Sequence, residues 1–464
     1  MDAVAVGAIA LLLGLLAISQ SGVSRVPVIA WTIGIASLCG IAFEWRRGRL
    51  LSLEFITYTF LLTSFCIRPL YIWSNRTQLQ FHEFPKNAKA QLENLTSLEL
   101  ANFVTNRFAG DLEGPMTVAL GLGGAFLVCF VIGLAVGYRA TSSRMPRLLE
   151  GRPAAHRLAF VVALLLIVGF GTQLAGQVGV GGALLSPGSF EAAVLIRSAV
   201  VGLLLWAAYG PLRGRWGLVF SAVTLAFVLL RATGGSRTEA LLPLLAILIV
   251  IHLARRPFRA REVGAFIVIG LMVTNTVLTA RVVATREPGA SAILAGLKSS
   301  TSPSVALGDN SLFDDVVLLT ATVPEQIPFQ HGGRLLAGVA SSVPSIFYPG
   351  KPEQNEITFR RLVWGELYEG GRPYTHIGEF WFDFGWPGVL IGSVLVGVLV
   401  ARLRALGRPL ARGVDPGAAV IAGILVPLFY LVIDGTYTIL LSGLITYAVP
   451  LLLATFALRR SIAR

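Results

Sequence analysis

Long apolar runs of about 16 to 24 residues, recurring along the length, constrain this chain more than any other feature. A run of that length crosses a hydrocarbon layer of roughly 30 Å as a helix. Lipid offers no water to backbone N–H and C=O groups, so continuous apolar runs there must satisfy them internally, as helices. Twelve runs are read here, at about 3–20, 26–43, 52–73, 116–137, 158–176, 191–210, 217–232, 238–254, 264–283, 383–402, 416–433 and 438–458. The expected fold is an all-α polytopic membrane protein with about 12 transmembrane helices. The first run has the length of a signal peptide. Met1-Asp2-Ala3 ahead of it carries no positive charge, so it reads as a retained helix.

The formal net charge of +13 raises the question of nucleic acid. Its distribution answers against that class. The connectors 44–49, 138–157, 211–216, 254–262 and 402–412 and the tail 459–464 are rich in arginine, and the connectors between them are not. With twelve spans every basic connector falls on one side, which the positive-inside bias assigns to the cytoplasm together with both termini. The same parity places the segment 74–115 and a large loop on the other side. The organisation expected is helices one to nine over 1–283, the large extracytoplasmic loop over 284–382, and helices ten to twelve with a cytoplasmic tail over 383–464. Cys39, Cys66 and Cys129 lie in apolar runs and form neither a disulfide framework nor a metal spacing. No internal repeat, Walker motif or nucleotide fingerprint is present, which speaks against an ATP-driven pump.

The polar chemistry gathers in one stretch, from about Arg281 to Glu379. Asn310-Ser-Leu-Phe-Asp-Asp315 opens an apolar run as a helix N-terminus does, with acids in the first turn. Asp314 and Asp315 read there as a cap rather than as metal ligands. Gly333–Ala340 forms a second short helix, and both are amphipathic enough to lie on the membrane surface as a lid. Arginines also sit within or beside the apolar runs, at Arg68, Arg197, Arg231, Arg237 and Arg281. Each either faces a cavity or partner, or snorkels to headgroups. For Arg68, beside Pro69 and the aromatic Tyr71-Ile-Trp73, snorkelling is the favoured reading.

Arg231 and Arg237 flank the turn Ala232-Thr-Gly-Gly-Ser236. A helix N-terminus after glycines, with arginine beside it, is an anion site. Lys351, held between Gly350 and Pro352, together with Arg360, Arg361, Arg281 and Arg286 would make a cationic pocket. A lipid-linked phosphate or diphosphate is the natural ligand of such a pocket at a membrane boundary. His376 and Glu379 are three residues apart and share a face if helical. They are the candidate catalytic pair, able to take a proton from a hydroxyl, and a structural hydrogen-bonded pair is the bland alternative.

Three stretches then carry a family likeness: Arg237 after Gly-Gly-Ser, Ile346-Phe-Tyr-Pro-Gly-Lys-Pro352, and His376-Ile-Gly-Glu-Phe-Trp-Phe-Asp-Phe-Gly-Trp-Pro-Gly388. Together they resemble the oligosaccharide repeat-unit polymerases of bacterial surface-polysaccharide pathways, the O-antigen (Wzy-type) polymerases. The resemblance implies a glycosyltransferase C-like fold in the bacterial cytoplasmic (inner) membrane. It implies undecaprenyl-diphosphate-linked oligosaccharides as donor and acceptor, and metal-independent chemistry without a cofactor. Membrane lipid, a chain-length regulator and a flippase are the implied partners, and no nucleic acid. Carried over, Arg237 becomes a diphosphate ligand, Lys351 and Arg360 its helpers, and His376 or Glu379 the residue that activates the acceptor. A ligase of the same branch and a flippase for lipid-linked sugar are the alternative readings.

Overall fold

The computed structural model describes residues 25–47, 52–74, 113–139, 153–178, 190–233, 237–256, 258–259, 261–266, 312–341, 343, 348, 350, 374–406, 415–434 and 437–459. All of its regular structure there is helical: α1 Arg25–Arg46, α2 Leu53–Leu62, a π turn Thr63–Ile67, α3 Arg68–Ser74, α4 Glu113–Arg139, α5 Ala155–Val178, α6 Phe190–Tyr209, α7 Gly214–Thr233, α8 Arg237–Ala254, α9 Leu312–Thr322, α10 Gly333–Ser341, α11 Thr375–Leu406, α12 Pro416–Asp434 and α13 Tyr437–Arg459. Among the described residues eight helices are long and apolar enough to cross a membrane, and Leu241–Ala254 and Pro416–Tyr430 are shorter apolar helices. These ten match ten of the expected runs. The runs 3–20 and 264–283 lie outside the described residues, save for a helical piece at 261–266. By length and composition this is a multi-pass helical membrane protein.

Two hydrophobic cores organise the bundle. One joins α1, α2, α4, α9 and α11 through residues such as Ile33, Leu61, Phe126, Val316 and Val389. The other joins α5, α6, α7, α8, α12 and α13 through residues such as Val201, Phe227, Val250, Val420 and Leu458. Helix α12 belongs to both, because Phe429 packs into the first core while Val420 and Leu428 pack into the second. Arg255 donates to the carbonyl oxygens of Ala207 (2.9 Å) and Gly210, at the C-terminal end of α6. Its positive charge there satisfies orphan carbonyls. The contact also brings the basic connectors 211–216 and 254–262 to one end of the second bundle.

The first core is built on a close crossing of α4 and α11. A side chain on Gly133 would collide with the Val394 carbonyl, and one on Gly397 with the Phe130 carbonyl. Without a hydrophobic force between helices in lipid, such small residues let backbones approach and gain dispersion contacts. Farther along, a Cβ on Gly121 would stand 3.3 Å from Cη2 of Trp386, so α4 and the long part of α11 run in the same direction.

Helix α11 is broken. Gly385 has φ 62° and ψ −146°, a conformation open essentially to glycine alone. The short helix Thr375–Phe384 therefore folds back on the long one, with Phe380 against Gly388 and Gly392. The sequence reading began the tenth span at 383 and put 375–382 in the external loop. The chain in fact turns at Gly385-Trp-Pro387, and the aromatic stretch before the turn is buried: Tyr374, Ile377 and Phe382 are all at 0 % exposure.

Candidate functional site

The described parts of the large loop, 312–341 and 374–382, do not stay outside the bundle. Helix α9 buries Phe313 through Leu319 without interruption. Its Phe313 ring meets Phe65 edge-to-face at 5.7 Å, and its Thr320 hydroxyl donates to the Pro115 carbonyl at 3.0 Å. The expectation of a surface-lying helix is overturned for α9, because its apolar Val316-Val-Leu-Leu319 run has neighbours on every side. Asp314 is not a cap. It accepts two hydrogen bonds from Arg68, from Nε at 3.1 Å and from Nη2 at 2.6 Å, and both side chains are about 1 % exposed. Snorkelling of Arg68 is overturned with it. The π turn before Arg68 adds a residue to the coil, and such bulges are frequent at functional sites. Asp315 is buried beside the pair.

His376 and Glu379 do lie on one helix, and both are fully buried. Thr375 caps that helix, its hydroxyl accepting from the Gly378 N–H at 3.3 Å. The cap is strained, since Thr375 has φ 63°, costly for a β-branched residue. The His376 ring meets Phe126 edge-to-face at 4.8 Å, and Phe60 and Phe380 at 6.2 and 6.1 Å. Phe126 is midway along α4, so the imidazole is held deep within the first bundle rather than at its rim. Phe60 in turn meets Phe65 at 5.8 Å. A run of ring contacts thus links the cage around His376 to Phe313, next to the Arg68–Asp314 pair.

A third buried acid completes the short helix. Asp383 is fully buried and accepts from the Arg334 and Leu335 N–H groups, each at 3.1 Å. Sequence reasoning weighed a partner for Arg68 but favoured snorkelling, and it passed over Asp383. The only signal for Asp383 was its spacing, since His376, Glu379 and Asp383 recur at i, i+3 and i+7 on one helical face. In the second bundle Arg231 donates to the Gln173 side-chain oxygen at 2.6 Å, and the Arg197 guanidinium sits 5.0 Å over the Tyr447 ring. Helix α8 begins at Arg237, and its side chain is not among those described. Arg281, Lys351 and Arg360, with Arg286 and Arg361, lie outside the described residues, and the expected cationic pocket lies there with them. Among the described residues no group of three or more His, Cys, Asp or Glu stands at metal-binding spacing.

What the arrangement offers chemically is a set of ionisable groups held dry within an apolar bundle: Arg68, Asp314, Asp315, His376, Glu379 and Asp383. Charges in such surroundings are expensive unless paired, and they mark functional sites by default. Compared with protein-family models, curated proteins and solved structures, the chain matches none.

Proposed function

We propose that the protein is a polymerase that joins undecaprenyl-diphosphate-linked oligosaccharide repeat units at the outer face of a bacterial cytoplasmic membrane. One observation carries this reading: ionisable residues from α3, α9 and the short helix of α11 are buried together in the bundle that receives α9. A transfer from a glycosyl diphosphate needs the leaving diphosphate neutralised by fixed cations, and a sugar hydroxyl relieved of its proton. Arg237, at the start of a helix, with Arg231, Arg281, Lys351 and Arg360, serves the first need. His376 and Glu379, one turn apart, serve the second. In this reading both termini are cytoplasmic and the substrate is reached from the side of the 284–382 segment.

The test uses purified protein in lipid nanodiscs with a lipid-linked repeat unit as sole substrate. A ladder of lengthened lipid-linked chains without an ion gradient is the expected product. Transfer only once a different acceptor is added would make the protein a ligase, and movement of the lipid-linked unit across sealed proteoliposomes without lengthening would make it a flippase.

A further inference from the structure

We propose that residues 330–341, read from the sequence as part of a water-facing loop with a surface helix, are sunk in the bilayer, with Leu335, Leu336 and Val339 of α10 docked against lipid acyl chains. Three independent observations lead there.

The first is how the backbone is satisfied. Gln330 N–H donates to the Phe382 carbonyl (3.0 Å), His331 to the Asp383 carbonyl (2.8 Å), Gly333 to Gln330 (2.8 Å) and Leu336 to Gly332 (3.0 Å). Arg334 and Leu335 donate to the two oxygens of the Asp383 carboxylate. The opening turn of a helix normally leaves its N–H groups to water. Here each of Gly333, Arg334, Leu335 and Leu336 has a protein acceptor. So do two residues of the irregular segment before them. Non-helical backbone at membrane depth is tolerated only where protein or a water-filled cavity takes up its polar groups, and here protein acceptors do so.

The second is depth. The anchor is the break in α11, and Gly332 stands against Phe384 while Phe329 stands against Gly385. Trp386, next to the break, packs on Gly121 of α4. Gly121 is about 12 Å along α4 from Glu113 at 1.5 Å per residue. The start of α10 is therefore tied to a level within the α4 span rather than at its end.

The third is the outward face. Leu335, Leu336 and Val339 are 43, 70 and 49 % exposed. Arg334, the helix's basic residue, is turned inward, with its guanidinium 5.9 Å over the Phe382 ring. The exposed face runs on through Phe384 into the exposed stripe Leu390, Ile391 and Leu395 of α11. That stripe lies on a helix apolar enough to span a membrane. Acyl chains that cover the stripe continue onto α10, which rests between α11 and α13.

The experiment places single reporter cysteines at Leu336, Leu395 and Glu325 after replacing Cys39, Cys66 and Cys129. Each is labelled with bimane, and the protein is reconstituted with nitroxide-bearing phospholipid. Leu395 is the lipid reference and Glu325, exposed and polar, the water reference. The expected result is that Leu336 loses emission to the nitroxide lipid as Leu395 does, with a blue-shifted spectrum and little loss to aqueous iodide. Quenching by iodide as at Glu325 would overturn the proposal. Protection from both quenchers would also overturn it, since protein and not lipid would then cover the face. In the expected case, adding Asp383→Ala removes two backbone acceptors, and iodide quenching at Leu336 should rise. No rise would overturn the anchoring role of Asp383.

Discussion

Replacing Arg68 by methionine leaves the Asp314 carboxylate buried with its two strongest donors gone. Both side chains are about 1 % exposed, and the pair is bidentate, at 3.1 and 2.6 Å. Solvent cannot take over, so breaking the pair from either side should cost about 3–5 kcal/mol. That is a large share of the roughly 5–15 kcal/mol that holds a typical fold together. The double variant Arg68→Met, Asp314→Leu removes both charges and keeps much of the volume. Replacing a whole buried pair in this way is often neutral or stabilising, by about 1–4 kcal/mol. The cycle should therefore be strongly non-additive, with a coupling of roughly 6 kcal/mol or more if each single variant costs the lower figure. Arg68→Lys should recover part of the loss, because a point charge cannot grip two oxygens. The assay is reversible unfolding of the four proteins by sodium dodecyl sulfate in mixed micelles, followed by far-UV circular dichroism. Single variants as stable as the parent, or a double variant no better than the weaker single one, would refute the claim that these side chains form a desolvated, mutually dependent pair.

Gly133→Val and Gly397→Val each drive a side chain into the carbonyl of the facing helix, and overpacking of that kind costs about 1–3 kcal/mol or more. A lower unfolding midpoint in the same assay checks it, and an unchanged midpoint counts against the close crossing of α4 and α11. Under the polymerase reading, Arg237→Ala should lower polymer formation about 10²–10³-fold while the protein still reaches the membrane, and Arg237→Lys should restore little. His376→Ala and Glu379→Ala should each slow chain lengthening about 10²–10⁴-fold with donor binding intact, as read by a lipid-linked donor pull-down. For topology, cysteine at Ser300 should react with an impermeant thiol reagent in intact cells and cysteine at Ser143 should not; the reverse pattern would put the substrate on the wrong face. Glu262 accepts from the Arg259 N–H (2.8 Å) and the Arg256 guanidinium (3.0 Å), which hold its carboxyl below the usual glutamate range. Its folded pKa is depressed, so its stabilisation is full above the ordinary value and fades as pH falls toward the folded one. Faster amide exchange at Glu262, after correction for intrinsic rates, should appear only on that acid side.

The spans were legible because an apolar run long enough to cross lipid has few other uses. Ten of the twelve expected runs coincide with described helices, to within a few residues at most ends. The break in α11 was not legible. Pro387 and two glycines near it read as the edge of a helix, whereas they let the chain reverse inside the bundle. Helix α9 was misplaced for a related reason: its short apolar face matches a surface helix as well as a buried one, and only its neighbours decide. The partner of Arg68 stands 246 residues away. No local pattern can show such a partner, so headgroup contact was the natural reading. His376 and Glu379 were found by residue type and spacing. Their depth was hidden, because it depends on where Phe60 and Phe126 lie.

That separation also sets a problem of timing. At synthesis rates of roughly 5–20 residues per second, Asp314 is made about 12–50 s after Arg68. Helices α11 and α12, which complete the first core, are made later still. The second bundle is interrupted too, since α12 and α13 close a group begun by α5. Neither half can therefore finish before the last fifth of the chain emerges. Until α9 is made Arg68 lacks the Asp314 carboxylate, and until α11 is made α4 shows its glycine face to lipid. The newborn protein depends on whatever shelters such half-built bundles, whether insertion machinery or lipid phosphate drawn to the arginine. A chain truncated before α9 would expose both the charge and the bare seam, a direct signal for removal by membrane proteases.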